Sequence, residues 1–169
     1  MGGLMINVED SRLSNNAAIG LSVGLIIVGW VFYDLVLGRW FKNEMVGAII
    51  SFILVALLSW FLARYFSGRA AFMQLGGMFG TIMVANVWMR ILPAQRRMVA
   101  ALKEGKTPDA AEAMRAKNAS RHNTFMAVPT VFIMISNHFP IAYGHRHNWI
   151  VLSAVVLVGW VAARLIRRA

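Results

Sequence analysis

The sequence predicts an all-α integral membrane protein, a helical bundle with about five transmembrane helices. Its 169 residues are 59% hydrophobic and 14% charged, whereas soluble domains usually carry about 45–50% apolar and about 25% charged residues. Apolar runs of about 20 residues, the length that a helix needs to cross the hydrocarbon core, recur along the chain. One soluble core could not cover so much apolar surface, so the first partner that the sequence predicts is the lipid bilayer.

A polar N-terminal segment, residues 1–16, precedes a membrane domain at residues 17–169. The spans are predicted at about 17–37, 46–66, 71–92, 123–141 and 149–166. A basic, amphipathic loop at about 93–121 separates the third span from the fourth. Its alanine-rich runs predict two short surface helices with a break at 105–108, after which Pro108 and Asp109 start the second helix.

Charge distribution predicts how the chain lies in the membrane. Five spans place the termini on opposite sides. Most of the 17 lysines and arginines fall on one side, in the loop at about 38–45, in the loop at 93–121 and at the C-terminus. Basic residues collect in cytoplasmic loops. We therefore expect a bacterial inner membrane protein with a periplasmic N-terminus and a cytoplasmic C-terminus, and the net charge of +10 needs no nucleic acid to explain it.

Small residues recur at helix-packing spacing, as Gly20 with Gly24 and Gly76 with Gly80. Small residues four apart let two helix backbones approach closely, so these faces are expected to meet another helix, in this chain or in a partner.

Polar residues inside the spans have two interpretations each. Asp34 is either a functional intramembrane carboxylate or one half of an interfacial pair with Arg39, about one turn away. Gln74 and Thr81 share a face of the third span, where interhelical hydrogen bonding is the simpler interpretation.

All 4 histidines lie between residues 122 and 147. His122 and His138 are sixteen residues apart, roughly 24 Å along a helix, so they cannot ligate one metal together. Pro129 lies between them and predicts a kink. His138, His145 and His147 fall on one side, where they could bind haem or metal, contact a quinone headgroup, relay protons, or stay solvated and idle. The absence of cysteine excludes c-type haem in this chain.

Two stretches resemble the membrane domain of the bacterial cytochrome c-linked urate oxidases (urate hydroxylases). They read SGRAAFMQLGGMFGTIMVANVWMRILPAQRRMVAALKEGKTPD and RHNTFMAVPTVFIMISNHFPIAYGHRHNW, and the similarity covers about residues 19–166. The resemblance implies a redox family of membrane proteins. It makes His122 and His138 the candidates for contact with haem b or quinone, and the matching ANV and SNH motifs add Asn86 and Asn137.

The chain also departs from that family. A cytochrome c domain with its cysteine motif is expected to be lacking, and Gln74 stands where the resemblance implies a histidine. If that histidine serves a haem in the family, its loss disfavours haem here. A complete urate oxidase in this polypeptide is therefore ranked last.

Two hypotheses remain. In the first, the chain is a membrane subunit of an electron-transfer complex, not catalytic alone, that binds haem b or quinone and works with a cytochrome c or dehydrogenase partner. In the second, it is a structural subunit that docks on a larger respiratory or photosynthetic complex.

Overall fold

A computed structural model describes residues 13–37 and 44–167, and nearly all of these are helical, with no strand among them. The helices are α1 (Asn15–Phe32), α2 (Glu44–Tyr65), α3 (Gly68–Asn86), α4 (Leu92–Lys103), α5 (Ala110–Ser136), α6 (Pro140–Tyr143) and α7 (Asn148–Ile166). Two π-helical turns, Tyr33–Leu37 and Val87–Ile91, directly follow α1 and α3. The prediction of an all-α fold is confirmed.

Short polar side chains start three of the helices. The Ser14 hydroxyl accepts the backbone N–H of Ala17 at 3.3 Å, and Ser67 caps α3 in the same way. Asp109 accepts the N–H of Ala111 at 2.8 Å, so it begins the second helix of the loop as the sequence predicted. Each cap satisfies an N–H that would otherwise lack an acceptor in the first turn. Gly105 ends the turn after α4 with a φ of 68°, a conformation that glycine adopts without strain.

Four helical stretches of the described chain are long and apolar enough to cross a membrane: Asn15–Leu35, Met45–Tyr65, Gly68–Lys103 and Asn148–Ile166. The third of these is longer than predicted. The helix does not stop at Pro93 but continues from α3 through the second π turn into α4, because proline is tolerated in the first turn of a helical segment.

The fourth predicted span, at about 123–141, lies largely in α5, which is not among those four stretches because its first half is polar. The predicted boundary near residue 121 is absent, and the surface helix and the span form one helix that continues through Pro129. The second half of α5 runs antiparallel to α3. Asn123 Nδ2 donates to the Met83 carbonyl at 3.0 Å, and Asn137 Nδ2 lies 2.7 Å from Met73 Sδ at the other end. A membrane that α3 crosses is therefore crossed by α5 as well.

The core lies between α2, α3, α5 and α7. Its most completely buried large side chains are Leu62, Phe72, Leu75, Ile133, Leu152 and Val156. Two glycines allow the helices around it to approach closely. A Cβ on Gly159 of α7 would lie 2.7 Å from Cβ and 2.8 Å from Cα of Pro129 on α5, and one on Gly76 would meet the Met134 and Ile133 side chains.

The small-residue prediction is thus met at Gly76, which packs on α5. Gly20, Gly24 and Gly80 have no non-local neighbour within 4 Å of a would-be Cβ, so these three positions meet no other helix in the described part of the chain.

Candidate functional site

Six polar side chains meet where α1, α3 and the middle of α5 lie side by side. They are Tyr33, Asp34, Asn86, Arg90, His122 and Asn123, here called the Asn86 network.

Asn86 is the centre of this network and is only 3% exposed. Its Nδ2 donates to the Tyr33 hydroxyl at 2.8 Å and to Asn123 Oδ1 at 2.9 Å. The Tyr33 hydroxyl lies 2.9 Å from His122 Nδ1, and the two rings meet edge to face with centroids 5.9 Å apart. One buried amide therefore connects α1, α3 and α5.

Arg90 forms an ion pair with Asp34. Their side chains are 22% and 28% exposed, respectively. Arg90 Nη1 also donates to Asn86 Oδ1 at 3.4 Å, and the guanidinium carbon lies 5.8 Å from the centre of the Tyr33 ring. Asp34 thus pairs with Arg90, 56 residues away, while Arg39, the partner weighed from the sequence, lies outside the described residues.

The two π-helical turns supply the charged and aromatic members of the network. Tyr33 and Asp34 open the first turn, and Arg90 lies in the second, where the Leu92 N–H bonds to the Val87 carbonyl five residues back. A π turn adds a residue to one turn of the helix and so changes the direction of the side chains that follow, and such turns are frequent at functional sites. Both turns lie at the same end of the bundle, and the ion pair joins them.

Arg90 determines the orientation of the Asn86 amide, because a guanidinium group only donates hydrogen bonds. Asn86 therefore presents its oxygen to Arg90 and its NH₂ group to Tyr33. The Tyr33 oxygen accepts from Asn86, and its hydroxyl hydrogen can be donated to His122 Nδ1; the imidazole tautomer decides which of these two groups donates. A neutral histidine that accepts at Nδ1 carries its proton on Nε2. That tautomer leaves His122 with an N–H group that has no hydrogen-bond partner among the described residues.

His122 also lines a cavity of about 590 Å³ between α1, α2, α3, α5 and α7. Most of its wall is apolar, including Leu54, Leu58, Phe79 and Met126. The polar residues of the wall are Tyr33, Ser51, Asn118, Arg121, His122 and Arg164. The cavity therefore has a mostly apolar wall that includes a few polar groups, His122 among them.

Trp160 contributes a second unused donor to the cavity wall. Its indole Nε1 is buried and finds no acceptor in the part of the chain that the structure describes. The ring packs edge to face on Phe52 with centroids 6.1 Å apart, which holds its orientation. A buried N–H without an acceptor costs about 1–3 kcal/mol, so an acceptor on a molecule in the cavity would stabilise this arrangement.

The other predicted site residues lie beyond the C-terminal end of α5, away from the Asn86 network. His138, His145 and His147 are exposed, and Asn137 contacts Met73 and the Met134 carbonyl. The imidazoles of His145 and His147 have centroids 5.7 Å apart. Within residues 13–37 and 44–167, no group of three or more histidine or acidic side chains is placed to hold a metal ion. The structure thus brings Asn86 and His122 together and keeps His138 away from them.

Gln74 is a structural residue in this fold. It is buried, it donates Nε2 to the Ser22 carbonyl at 2.9 Å, and it accepts the Ser22 hydroxyl at 2.6 Å. This pair joins α1 to α3, as interhelical hydrogen bonding predicts. Thr81 differs, since its hydroxyl bonds to the Gly77 carbonyl of its own helix.

Sequence reasoning missed Tyr33, Arg121 and Arg164 as members of the site. A tyrosine next to Asp34 and arginines near span ends are common in membrane helices. Only contacts between residues 53 to 89 positions apart reveal Tyr33 as part of the network. Arg90 had a signal, because it lies four residues after Asn86 and so on the same helix face.

Comparison with known proteins yields one family. The family model described as urate oxidase N-terminal matches residues 2–168. No curated protein and no solved structure matches the chain. The match covers nearly the whole chain and agrees with the resemblance carried by the ANV and SNH motifs. The protein therefore belongs to the urate oxidase N-terminal family and is a multi-pass membrane protein within it.

Proposed function

We propose that this chain is an integral membrane subunit of a redox complex and that its cavity binds a quinone. The observation that carries the proposal is the position of His122, which contacts Tyr33 of the Asn86 network and also lines a mostly apolar cavity. A quinone has the matching chemistry, since its carbonyl oxygens accept hydrogen bonds and its isoprenoid tail is apolar. Apolar cavities with a few converging polar groups are typical ligand sites.

Haem b fits the same residues less well. An iron ligand must offer a lone pair, and in the tautomer proposed for His122 neither ring nitrogen has one free, because Nδ1 accepts from Tyr33 and Nε2 carries the proton. His138, the other candidate ligand, is exposed roughly 24 Å further along α5. The donor set therefore favours a ligand that accepts a hydrogen bond over one that needs two imidazole lone pairs.

The residues of this chain would bind and orient the quinone. His122 Nε2–H would donate to one carbonyl oxygen, and Tyr33 would keep the imidazole in that tautomer. The Arg90–Asp34 pair would hold Asn86 and, through it, Tyr33. The bound quinone would supply the redox chemistry. A dehydrogenase or cytochrome c partner would exchange electrons with it, and urate is not required as a substrate of this chain.

Binding of a benzoquinone with a decyl tail to the purified protein tests the proposal, with quenching of tryptophan fluorescence as the readout, since Trp160 lines the cavity. His122→Ala removes the donor and should weaken binding by about tenfold, since a net hydrogen bond contributes about 1.4 kcal/mol. His138→Ala is the matched control and should bind like the wild type. Tyr33→Phe keeps the ring but frees Nδ1, so it should weaken binding without removing His122.

Equal affinity in His122→Ala and His138→Ala would refute the quinone site. A pyridine extract with about one haem b per chain would refute the preference for quinone over haem.

The alternative is a docking subunit without a cofactor. It is favoured by Gly20 and Gly24, which have helix-packing spacing but meet no helix in the described chain. Failure of both haem and quinone binding in a folded sample would favour this reading.

We also propose that the Asn86 network faces the cytoplasm of a bacterial cell and that His145 faces the periplasm, because basic loops stay inside. The chain contains no cysteine, so single cysteines can be labelled without background. Arg115→Cys should react with a membrane-impermeant maleimide only after the cells are opened, whereas His145→Cys should react in intact spheroplasts. The reverse pattern would invert the topology.

A further inference from the structure

Three arginines gather where the cavity meets the end of α7. Arg121 of α5 and Arg164 of α7 line the cavity, and the Arg167 guanidinium lies 5.8 Å from the ring centre of Phe125, another lining residue. Arg121 is close enough to the other two that electrostatic repulsion from both acts on it. Arg164 and Arg167 at the end of α7 are like charges one helical turn apart, which is unfavourable unless an anion compensates them.

No acidic side chain among the described residues forms an ion pair with Arg164 or Arg167 at the end of α7. The ion pairs of the described residues join Arg90 to Asp34, Arg97 to Glu112 and Lys106 to Glu104, so Arg164 and Arg167 are in none of them. Arg164 is exposed beside the cavity. Its exposed side chain can therefore contact a negatively charged group that is not among the described residues.

The surroundings of Arg164 indicate where that anion comes from. Leu157, Val161 and Leu165 are exposed and lie on the same side of α7, below or beside Arg164. Helix α7 is apolar enough to span a membrane and ends at Ile166, so its last turn lies at the membrane surface. A cationic group at the membrane surface with an apolar strip beside it matches the structure of a phospholipid. The phosphate would contact the arginines, and an acyl chain would lie along Leu157, Val161 and Leu165.

We propose that Arg121, Arg164 and Arg167 form a binding site for the headgroup of an anionic phospholipid at the mouth of the cavity. Guanidinium groups bind phosphate with paired N–H donors, which favours arginine over lysine at such a site. The proposal is independent of the quinone, because it concerns the charged mouth of the cavity and the lipid-facing strip of α7 and not the donor of His122.

Thermal unfolding of the purified full-length chain in an uncharged detergent tests the proposal. Phosphatidylglycerol should raise the apparent Tm of the wild type by a few degrees, and phosphatidylcholine should not. Arg164→Gln with Arg167→Gln should abolish the shift. Arg115→Gln with Lys117→Gln removes two exposed charges from the polar part of α5 and should keep the shift, which controls for net charge.

Three results would overturn the site: an equal shift with phosphatidylcholine, a full shift in the Arg164 and Arg167 double variant, or the same shift with inorganic phosphate, which would indicate a site for a free anion. Native mass spectrometry of the wild-type chain tests the same site without any substitution, so its result does not depend on whether a variant folds. From an equimolar mixture, the wild type should retain phosphatidylglycerol in preference to phosphatidylcholine, and equal retention would contradict the proposal.

Discussion

Substitution of Gly159 by alanine tests how closely α5 and α7 pack. The added methyl group would lie 2.7 Å from Cβ and 2.8 Å from Cα and N of Pro129. Two of these three atoms belong to the backbone, and the proline ring cannot rotate away. Ordinary carbon–carbon contacts lie at about 3.5–4.0 Å, so the two helices would have to separate by roughly 0.7–1.3 Å.

Overpacking of this kind costs about 1–3 kcal/mol. Alanine also gains up to about 1 kcal/mol over glycine in a helix, and that gain has to be measured separately. Gly80→Ala is the matched control, because Gly80 is also inside a helix and has nothing within 4 Å. The difference between the two variants should therefore be about 1–3 kcal/mol, or roughly 2–12 °C in apparent Tm for a chain of this length.

Apparent Tm in detergent, followed by tryptophan fluorescence, measures this difference. Gly159→Ala should unfold at a lower temperature than Gly80→Ala, and it should weaken binding of the decyl benzoquinone, since α5 and α7 both line the cavity. Equal melting temperatures for the two variants would show that the helices have room for the methyl group, and the close-packing argument would then be wrong.

Further predictions concern the polar contacts between helices. Gln74→Leu removes both hydrogen bonds between α1 and α3 and should lower stability by about 1–2 kcal/mol; no change in apparent Tm would exclude a structural role. Arg90→Gln removes an ion pair whose two side chains are both mostly buried, so it should destabilise more than Arg97→Gln, because the Arg97 side chain is 60% exposed. A larger loss for the Arg97 variant would contradict this order.

Hydrophobic composition and residue spacing predicted most of the fold. The apolar runs predicted α1, α2, α3 and α7, because lipid-facing helices need long apolar stretches whatever their neighbours are. Asp109 predicted the start of α5 through its capping chemistry. The continuation of α3 into α4, and of the surface helix into the fourth span, was missed, because polarity marks where a chain leaves the membrane and not where its helix ends.

Half of the candidate site could be predicted in the same way. Asn86 is a polar residue in an apolar run, where an unpaired polar group is costly, so it had to have a partner. His122, at the start of the fourth predicted span, was indicated by the family resemblance. The residues that pair with Asn86 and His122 could not be predicted from the sequence. The ion pair of Asp34 with Arg90 and the hydrogen bond between Tyr33 and His122 depend on two π turns and on the register of three helices.

The sequence by itself thus determined that the chain is a helical membrane protein of the urate oxidase N-terminal family and that His122 and Asn86 merit attention. Only the tertiary structure decided that these two residues share one network, that His138 stands apart, and that a cavity opens beside His122. The physical reason is that burial and helix periodicity are local properties of the chain. Hydrogen-bond direction, cavity shape and the close approach of Gly159 to Pro129 arise only when helices distant in sequence pack together.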